Sequence, residues 1–320
     1  ALGPMLREYI ISEAMHGLNI PTTRSIAVVK TGESIMRETY QPGAILTRIA
    51  SSHIRVGTFQ YLAATQNDKN LKIMLDYVIN RHYPNIKNSK NQSVELLKTL
   101  IDVQVNLVIN WMRTGFIHGV MNTDNMSISG ETIDYGPCAF MDDYNPETVF
   151  SSIDQQGRYS FLNQPKIIKW NLARFAECII PFIDKDKDIA IQIATETINT
   201  FEEIYQNKWL NMMRDKLGLF GEDRGDQILI MDLLSWMHNN KADYTNTFCF
   251  LMNEKFSFNE KYKNKDFIIW KKKWDDRLKL NNNSQEKYVK LMRSVNPLVI
   301  ARNHKVEEVL EAANNNNFTP

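Results

Sequence analysis

The chain has 320 residues, 43% of them hydrophobic and 23% charged, which supports a large buried core and excludes a wholly disordered chain. Its 38 basic and 37 acidic side chains leave a net charge of +1, without the basic excess of a general nucleic-acid binder, so an anionic ligand would be held by a few placed cations. Three cysteines with no CxxC pair exclude a disulfide framework and point to a reducing compartment; no apolar run reaches the roughly 20 residues that span a bilayer.

The chain opens with Ala1-Leu2-Gly3-Pro4, lacks an initiator Met and runs almost directly into a helical pattern, so this N-terminus reads as a cut. Residues 5–18 place Leu6, Ile10, Ala14 and Leu18 on one helical face, and Pro21 ends that helix. The runs 24–30 and 34–39 predict two strands joined by a hairpin turn at Thr31-Gly32-Glu33, and 44–49 predicts a third. From Thr58 the periodicity is helical, over 57–66, 69–82 and 95–114, the last long and apolar. A stretch rich in Gly, Asn and Asp runs from Gly115 to about Pro165, after which helices are predicted at 166–182, 187–216, 224–238, 240–253, 265–278 and 284–294. Asn281-Asn282-Asn283 reads as a loop and Asn314 to Asn317 as a frayed tail. The fold class is therefore α+β, with a small mixed unit over 1–56 and a helical unit over 57–320.

An irregular segment of about fifty residues between helices is uncommon and is usually functional. Within it, the runs Met126–Ile128 and Thr132–Ile133 flank the turn Ser129-Gly130-Glu131, which predicts a small hairpin. Asp124 and Asn125 precede its first strand and Asp134 follows its second, so the three would converge. Two carboxylates and an amide oxygen suit Mg²⁺, which takes hard oxygen ligands and retains phosphate oxygens. The same order occurs in the kinase catalytic core, where an Asn and the Asp of an Asp-Phe-Gly triplet hold the metals; here the triplet is Asp134-Tyr135-Gly136. Taken singly, Asp-Asn and Asp-Tyr-Gly are ordinary turn sequences. Taken together after a long helix and a His-containing loop, they mark a site. His118-Gly119-Val120 lacks the carboxylate of the kinase His-Arg-Asp pattern, which leaves Asp124 as the nearest acid. His118 itself reads as scaffolding.

The runs Arg7-Glu8-Tyr9, Ile20-Pro21-Thr22-Thr23, Arg37-Glu38-Thr39, Leu46-Thr47-Arg48 and Ser52-His53-Ile54-Arg55 resemble the selenoprotein O family, known in bacteria as YdiU. So do His118 to Asn125, Ile133-Asp134-Tyr135-Gly136-Pro137, Gln156-Gly157-Arg158-Tyr159, Asn163-Gln164-Pro165 and Trp170-Asn171-Leu172, and the likeness reaches Arg302-Asn303-His304. The resemblance implies a protein-kinase-like fold, with 1–56 a partial N-lobe and 57–320 a C-lobe whose catalytic loop and metal site lie at 118–137. It implies an Mg²⁺- or Mn²⁺-dependent protein adenylyltransferase that moves AMP from ATP to Ser, Thr or Tyr hydroxyls of proteins; the balanced charge and the lack of a long apolar run lead us to expect no nucleic-acid or membrane partner. The implied roles are Asp124 as base, Asn125 and Asp134 as metal ligands, and Arg48 and Arg55 at the nucleotide's phosphates. Glu8 would pair with a nucleotide-binding lysine.

That lysine and a glycine-rich loop would lie ahead of residue 1, leaving Glu8 without a partner in this chain. The alternatives are a phosphotransferase on the same core and an inactive nucleotide-binding pseudoenzyme. A helical metal hydrolase is disfavoured by six histidines with no HExxH spacing. The resemblance implies a bacterial cytoplasm, or a mitochondrion in a eukaryote. Cys138 falls where some relatives carry a redox-active cysteine; the alternative is a small buried thiol.

Overall fold

In the computed structural model, which describes residues 1–37, 39–280 and 283–320, the chain is α+β. Glu38 of the expected second strand and Asn281-Asn282 of the expected loop lie outside the described residues. Helix α1 (Leu2–Gly17) buries Ile11 and Met15, and also the carboxylate-bearing Glu8. It ends where Asn19 takes a φ of 58° and the Ile20 N–H turns back to donate to the Met15 carbonyl at 2.9 Å. Pro21, with no N–H to offer, cannot extend the helix.

Two strands follow instead of three. β1 (Arg24–Met36) pairs antiparallel with β2 (Tyr40–Ile49), from Arg24 opposite Ile49 to Met36 opposite Tyr40. Thr31-Gly32-Glu33 is not the turn: it is a register irregularity between Lys30 and Ser34, with Gly32 at φ +81°. The chain reverses later, where the Arg37 N–H donates to the Thr39 carbonyl at 3.0 Å. A strand-interior glycine marks a bulge as readily as a turn, and local composition does not separate the two.

The helical part begins with α2 (Val56–Ala64), α3 (Asp68–His82) and α4 (Gln92–Thr114). Helix α4 is the central post, burying Leu97, Leu100, Ile101, Val105, Val108 and Trp111 along its length. Asn91 caps its start, accepting from the Val94 N–H at 3.2 Å, and Gly115 closes its end at φ +74°. Against α4 pack α5 (Gln164–Ile179) and α6 (Lys187–Lys216), followed by α7 (Asp226–Asn239), α8 (Tyr244–Leu251), α9 (Lys265–Lys279) and α10 (Gln285–Val295). The expected helix boundaries hold for α6 and shift by a few residues elsewhere; the predicted 240–253 helix starts only at Tyr244, where Asp243 caps it.

The expected tail at Asn314 to Asn317 is non-helical beyond Asn314, but ahead of it lies a helix that the sequence pattern did not announce. α11 (Asn303–Asn314) packs on α1, where Arg7 donates to Glu307 at 2.7 Å and to Asn303 at 3.0 Å. Among the described residues no helix is long and apolar enough to cross a membrane.

One buried ion cluster joins α6, α7 and α9. Asp226, fully buried, accepts from Arg277 Nε at 2.6 Å, Arg214 Nε at 2.8 Å and the Asp223 N–H at 3.0 Å. Burial opposes its charge, but the bonds from Arg277, Asp223 and Arg214 outweigh it and hold the carboxyl below its usual range. Asp226→Ala leaves two guanidiniums buried without their shared acid and should cost about 3–5 kcal/mol in urea unfolding. Asp232→Ala, which removes only a surface pair to Lys273, should cost under about 1 kcal/mol.

Candidate active site

The site is hung from the end of α4. Gly115 turns the chain into β3 (Phe116–Ile117), which pairs with β4 (Ala139–Phe140), and His118 follows at once. His118 is completely buried, with its ring against Trp111 and Phe116 at 5.5 and 6.3 Å between centroids. Its Nε2 lies 2.9 Å from the Ile133 carbonyl, which can only accept, so Nε2 carries the proton. Nδ1 then accepts from the Val120 N–H at 3.4 Å. Burial holds the imidazole below its ordinary value of 6.5, against the opposing pull of the Ile133 carbonyl and Asp134. The neutral ring is thus a fixed two-sided connector.

From this connector the candidate ligands are reached in single steps. The Val120 carbonyl accepts from Asn125 Nδ2 at 2.9 Å, which orients the amide and leaves its Oδ1 free. Ile133, held by the ring, is the residue before Asp134. Asp134 has φ +71°, a left-handed conformation that costs a non-glycine residue about 1–3 kcal/mol and persists where the surroundings impose it. The next residue supplies that restraint: the Tyr135 N–H donates to Glu8 Oε1 at 2.7 Å, and the Tyr135 hydroxyl bonds to Thr22.

The expected hairpin is only half formed. Its turn exists, with the Gly130 N–H donating to the Ser127 carbonyl at 3.2 Å, but its arms do not pair with each other. One arm bonds to 54–56, through Val56 N–H to Met126 carbonyl at 3.0 Å and Ile128 N–H to Ile54 carbonyl at 2.9 Å. The other bonds to 21–23, through Thr132 N–H to Pro21 carbonyl at 2.9 Å and Thr23 N–H to Thr132 carbonyl at 3.0 Å. Each arm satisfies its backbone on a different segment, so the connection between the Asn125 and Asp134 loops is made by His118.

Asp124 lies in a 3-10 turn (Thr123–Asn125) that Asn122 caps, and it is exposed. Its Oδ1 occupies the space beside Gly57, where an added Cβ would stand 2.0 Å away. Arg55, at the start of the same helix α2, forms an isolated bridge with Ser127 and has no ion pair among the described residues. Glu8 departs from expectation: it has a partner within the chain, Arg48 of β2, at 3.2 Å. Burial raises the Glu8 carboxyl, and Arg48 and the Tyr135 N–H only partly offset it, with Asp134 adding to the rise. The structure therefore joins Glu8, Arg48 and the Asp134–Tyr135 segment in one cluster, and Asp124, Arg55 and Gly57 in another at the start of α2.

The donor set fits a hard cation. Among the described residues, the carboxylates of Asp124 and Asp134 and the Oδ1 of Asn125 accept no hydrogen bond. Among the described residues no group of three or more His, Cys, Asp or Glu could hold a metal ion by itself.

Sequence reasoning assigned no role to the residues that brace this loop. Gln164, fully buried, accepts from the His118 N–H at 3.0 Å and donates to the Phe116 carbonyl at 3.0 Å. Asn171, also fully buried, donates to the Met121 carbonyl at 3.0 Å. Their signal was polarity on the otherwise apolar face of α5. Cys138 is buried, donates to the Tyr135 carbonyl at 3.3 Å and has its thiol pushed up to about 12 by burial, the properties of the small buried thiol.

A family model described as "Protein adenylyltransferase SelO" matches residues 2–320. The chain is 65% identical over 318 residues to "Protein nucleotidyltransferase YdiU" of Pelagibacter ubique, covering 99% of this chain and 66% of that protein. Proteins of the same name from Nitrosococcus oceani and Alcanivorax borkumensis are 55% and 53% identical, over 99% and 100% of this chain and 64% and 66% of their own lengths. The chain thus spans just under two thirds of the curated relatives it matches.

Because folded His118 binds a proton less readily than the unfolded chain, its contribution to stability is complete above about pH 6.5 and declines as pH falls towards the depressed folded value. Urea unfolding across pH 8 to 5 should show this loss in the native protein, and His118→Gln should flatten the slope below about pH 6.5.

Proposed function

This chain belongs to the protein adenylyltransferase SelO family, and from that premise we propose that it transfers AMP from ATP to Ser, Thr or Tyr hydroxyls of protein acceptors. The observation that carries the proposal is the hydrogen-bonded relay Asn125–Val120–His118–Ile133, which couples two free oxygen-donor loops through a neutral, buried ring. We assign a kinase-like architecture to the chain, with 1–56 as part of an N-lobe and 57–320 as the C-lobe.

In this reading, Asn125 and Asp134 hold Mg²⁺ or Mn²⁺, which when bound neutralises charge on the phosphates. Arg55, free of any acidic partner among the described residues, faces the negative charge of the nucleotide. Arg48 spends one nitrogen on Glu8 and offers the rest of its fork. Asp124 takes the proton of the acceptor hydroxyl as its oxygen bonds to the α-phosphorus. The bond from that phosphorus to the bridging oxygen breaks, and pyrophosphate leaves with the electron pair. Free carboxylate oxygens at an exposed position suit this role, since a base already engaged by a protein donor would first have to release it.

ATP labelled at the α- or the γ-phosphate, with Mg²⁺ and the protein, separates the possibilities. Label from α alone, lost in Asp134→Ala, is the expected result. Label from γ alone would establish a phosphotransferase, and none from either a binding protein without turnover. Gly57→Ala should lower transfer by at least about tenfold at unchanged thermal stability, because the flexible Asp124 carboxylate is what must move. Gly17→Ala, with open space around its Cβ, should leave transfer unchanged.

A further inference from the structure

Helix α5 braces the catalytic loop with one face and carries a second, unused surface beside it. Trp170, 41% exposed, has two guanidiniums over its ring, Arg158 at 4.9 Å and Arg174 at 5.1 Å from the centroid. Arg174 is paired with Glu177 at 2.5 Å. Arg158 is exposed and has no ion pair among the described residues. Trp170, Ala173, Arg174 and Glu177 recur at helical spacing, so they form one stripe of α5. That stripe leads into a groove of about 580 Å³ between α5 and α6, walled by Ala173, Ala176, Ile191, Ala194 and Ile198. Lys187 stands at the α6 start of the groove, next in sequence to the exposed Asp186 and Asp188.

Each end thus carries a cation without an ion pair among the described residues, Arg158 beside Trp170 and Lys187 at the start of α6, because the nearest acids, Asp154 and Asp186, accept from backbone N–H groups. We infer that this face docks the acceptor protein, through a segment that places an acidic residue at Arg158 and Trp170 and apolar side chains in the α5–α6 groove. An exposed tryptophan backed by arginines is the side-chain chemistry that anchors protein interfaces. An unpaired surface cation selects and steers an acidic partner. The location matters as well. Asn171, one residue on, holds the Met121 carbonyl of the loop that carries Asp124, so a segment held on α5 is tethered to the body that presents the base. The inference rests on the proposed adenylyl transfer for the identity of the partner, and its test needs no turnover.

A fluorescein-labelled random copolymer of glutamate and tyrosine, titrated with the protein in the absence of ATP and read by anisotropy, supplies an acidic, aromatic probe. The native protein should bind it, and more weakly as salt rises. Arg158→Glu and, separately, Ile191→Glu should each weaken binding by about tenfold, while a lysine–tyrosine copolymer should not bind. Both positions are exposed, so the fold survives substitution. Equal affinity in all three proteins, or equal binding of the basic copolymer, overturns the proposal. So does concentration-dependent self-association in sedimentation that Ile191→Glu abolishes, since the groove would then belong to a second copy. Loss of α-label transfer with copolymer binding intact would refute the activity and leave the docking surface standing.

Discussion

A single neutral imidazole in a dry core holds the site together. His118 can serve as donor to Ile133 and acceptor from Val120 only while it carries one proton. Protonation would turn Nδ1 into a donor facing another donor, and deprotonation is out of reach for an imidazole. Burial enforces the neutral form, since the hydration a charged ring would lose at this depth outweighs the pull of the Ile133 carbonyl and Asp134. The rigid end of α4 and the two bonds of Gln164 fix where that ring sits, so the Asn125 and Asp134 loops inherit the precision of the helix core.

Around this connector the polar groups fall into two classes. Those that build the site are satisfied: Gln164, the Asn171 amide N–H, the Tyr135 backbone and the Glu8 carboxylate all have partners. Those that could meet a ligand are not: Asp124, the Asn125 oxygen, Asp134 and Arg55 have spare capacity among the described residues. The left-handed Asp134 belongs with the second class, and the Glu8 bond to the following N–H offsets its strain. Glu8 thereby couples α1 and, through Arg48, strand β2 to the Asp-Tyr-Gly segment, so a shift of the ribbon would be felt at Asp134.

The far end of the chain buttresses the same segment. Arg7 reaches from α1 to Glu307 and Asn303 of α11 and to the Cys138 carbonyl, and Arg302 pairs with Asp142 and Asp243. The stretch after Asp134 is thus clamped between the first helix and the last, which explains why α11 is folded ahead of the asparagine-rich tail. Its apolar Val306, Leu310 and Ala313 are sparse, and their worth depends on α1 being there to receive them.

The amino-acid sequence alone specified the α+β class, the long apolar α4, the extent of α6, and the order Asp124, Asn125, Asp134 of the candidate oxygen donors. These are local signals: helical periodicity, caps, and oxygen donors close together in the chain. The sequence did not distinguish the β1 bulge from a turn, nor show that the two arms after Asn125 pair with 54–56 and 21–23, nor that Glu8 finds Arg48 forty residues away. The bracing by Gln164 and Asn171 and the close approach of Gly57 to Asp124 were equally hidden. Only the tertiary structure decides such matters, because a backbone or buried polar group takes whichever partner packing brings within about 3 Å, and that choice is made between segments far apart in the chain.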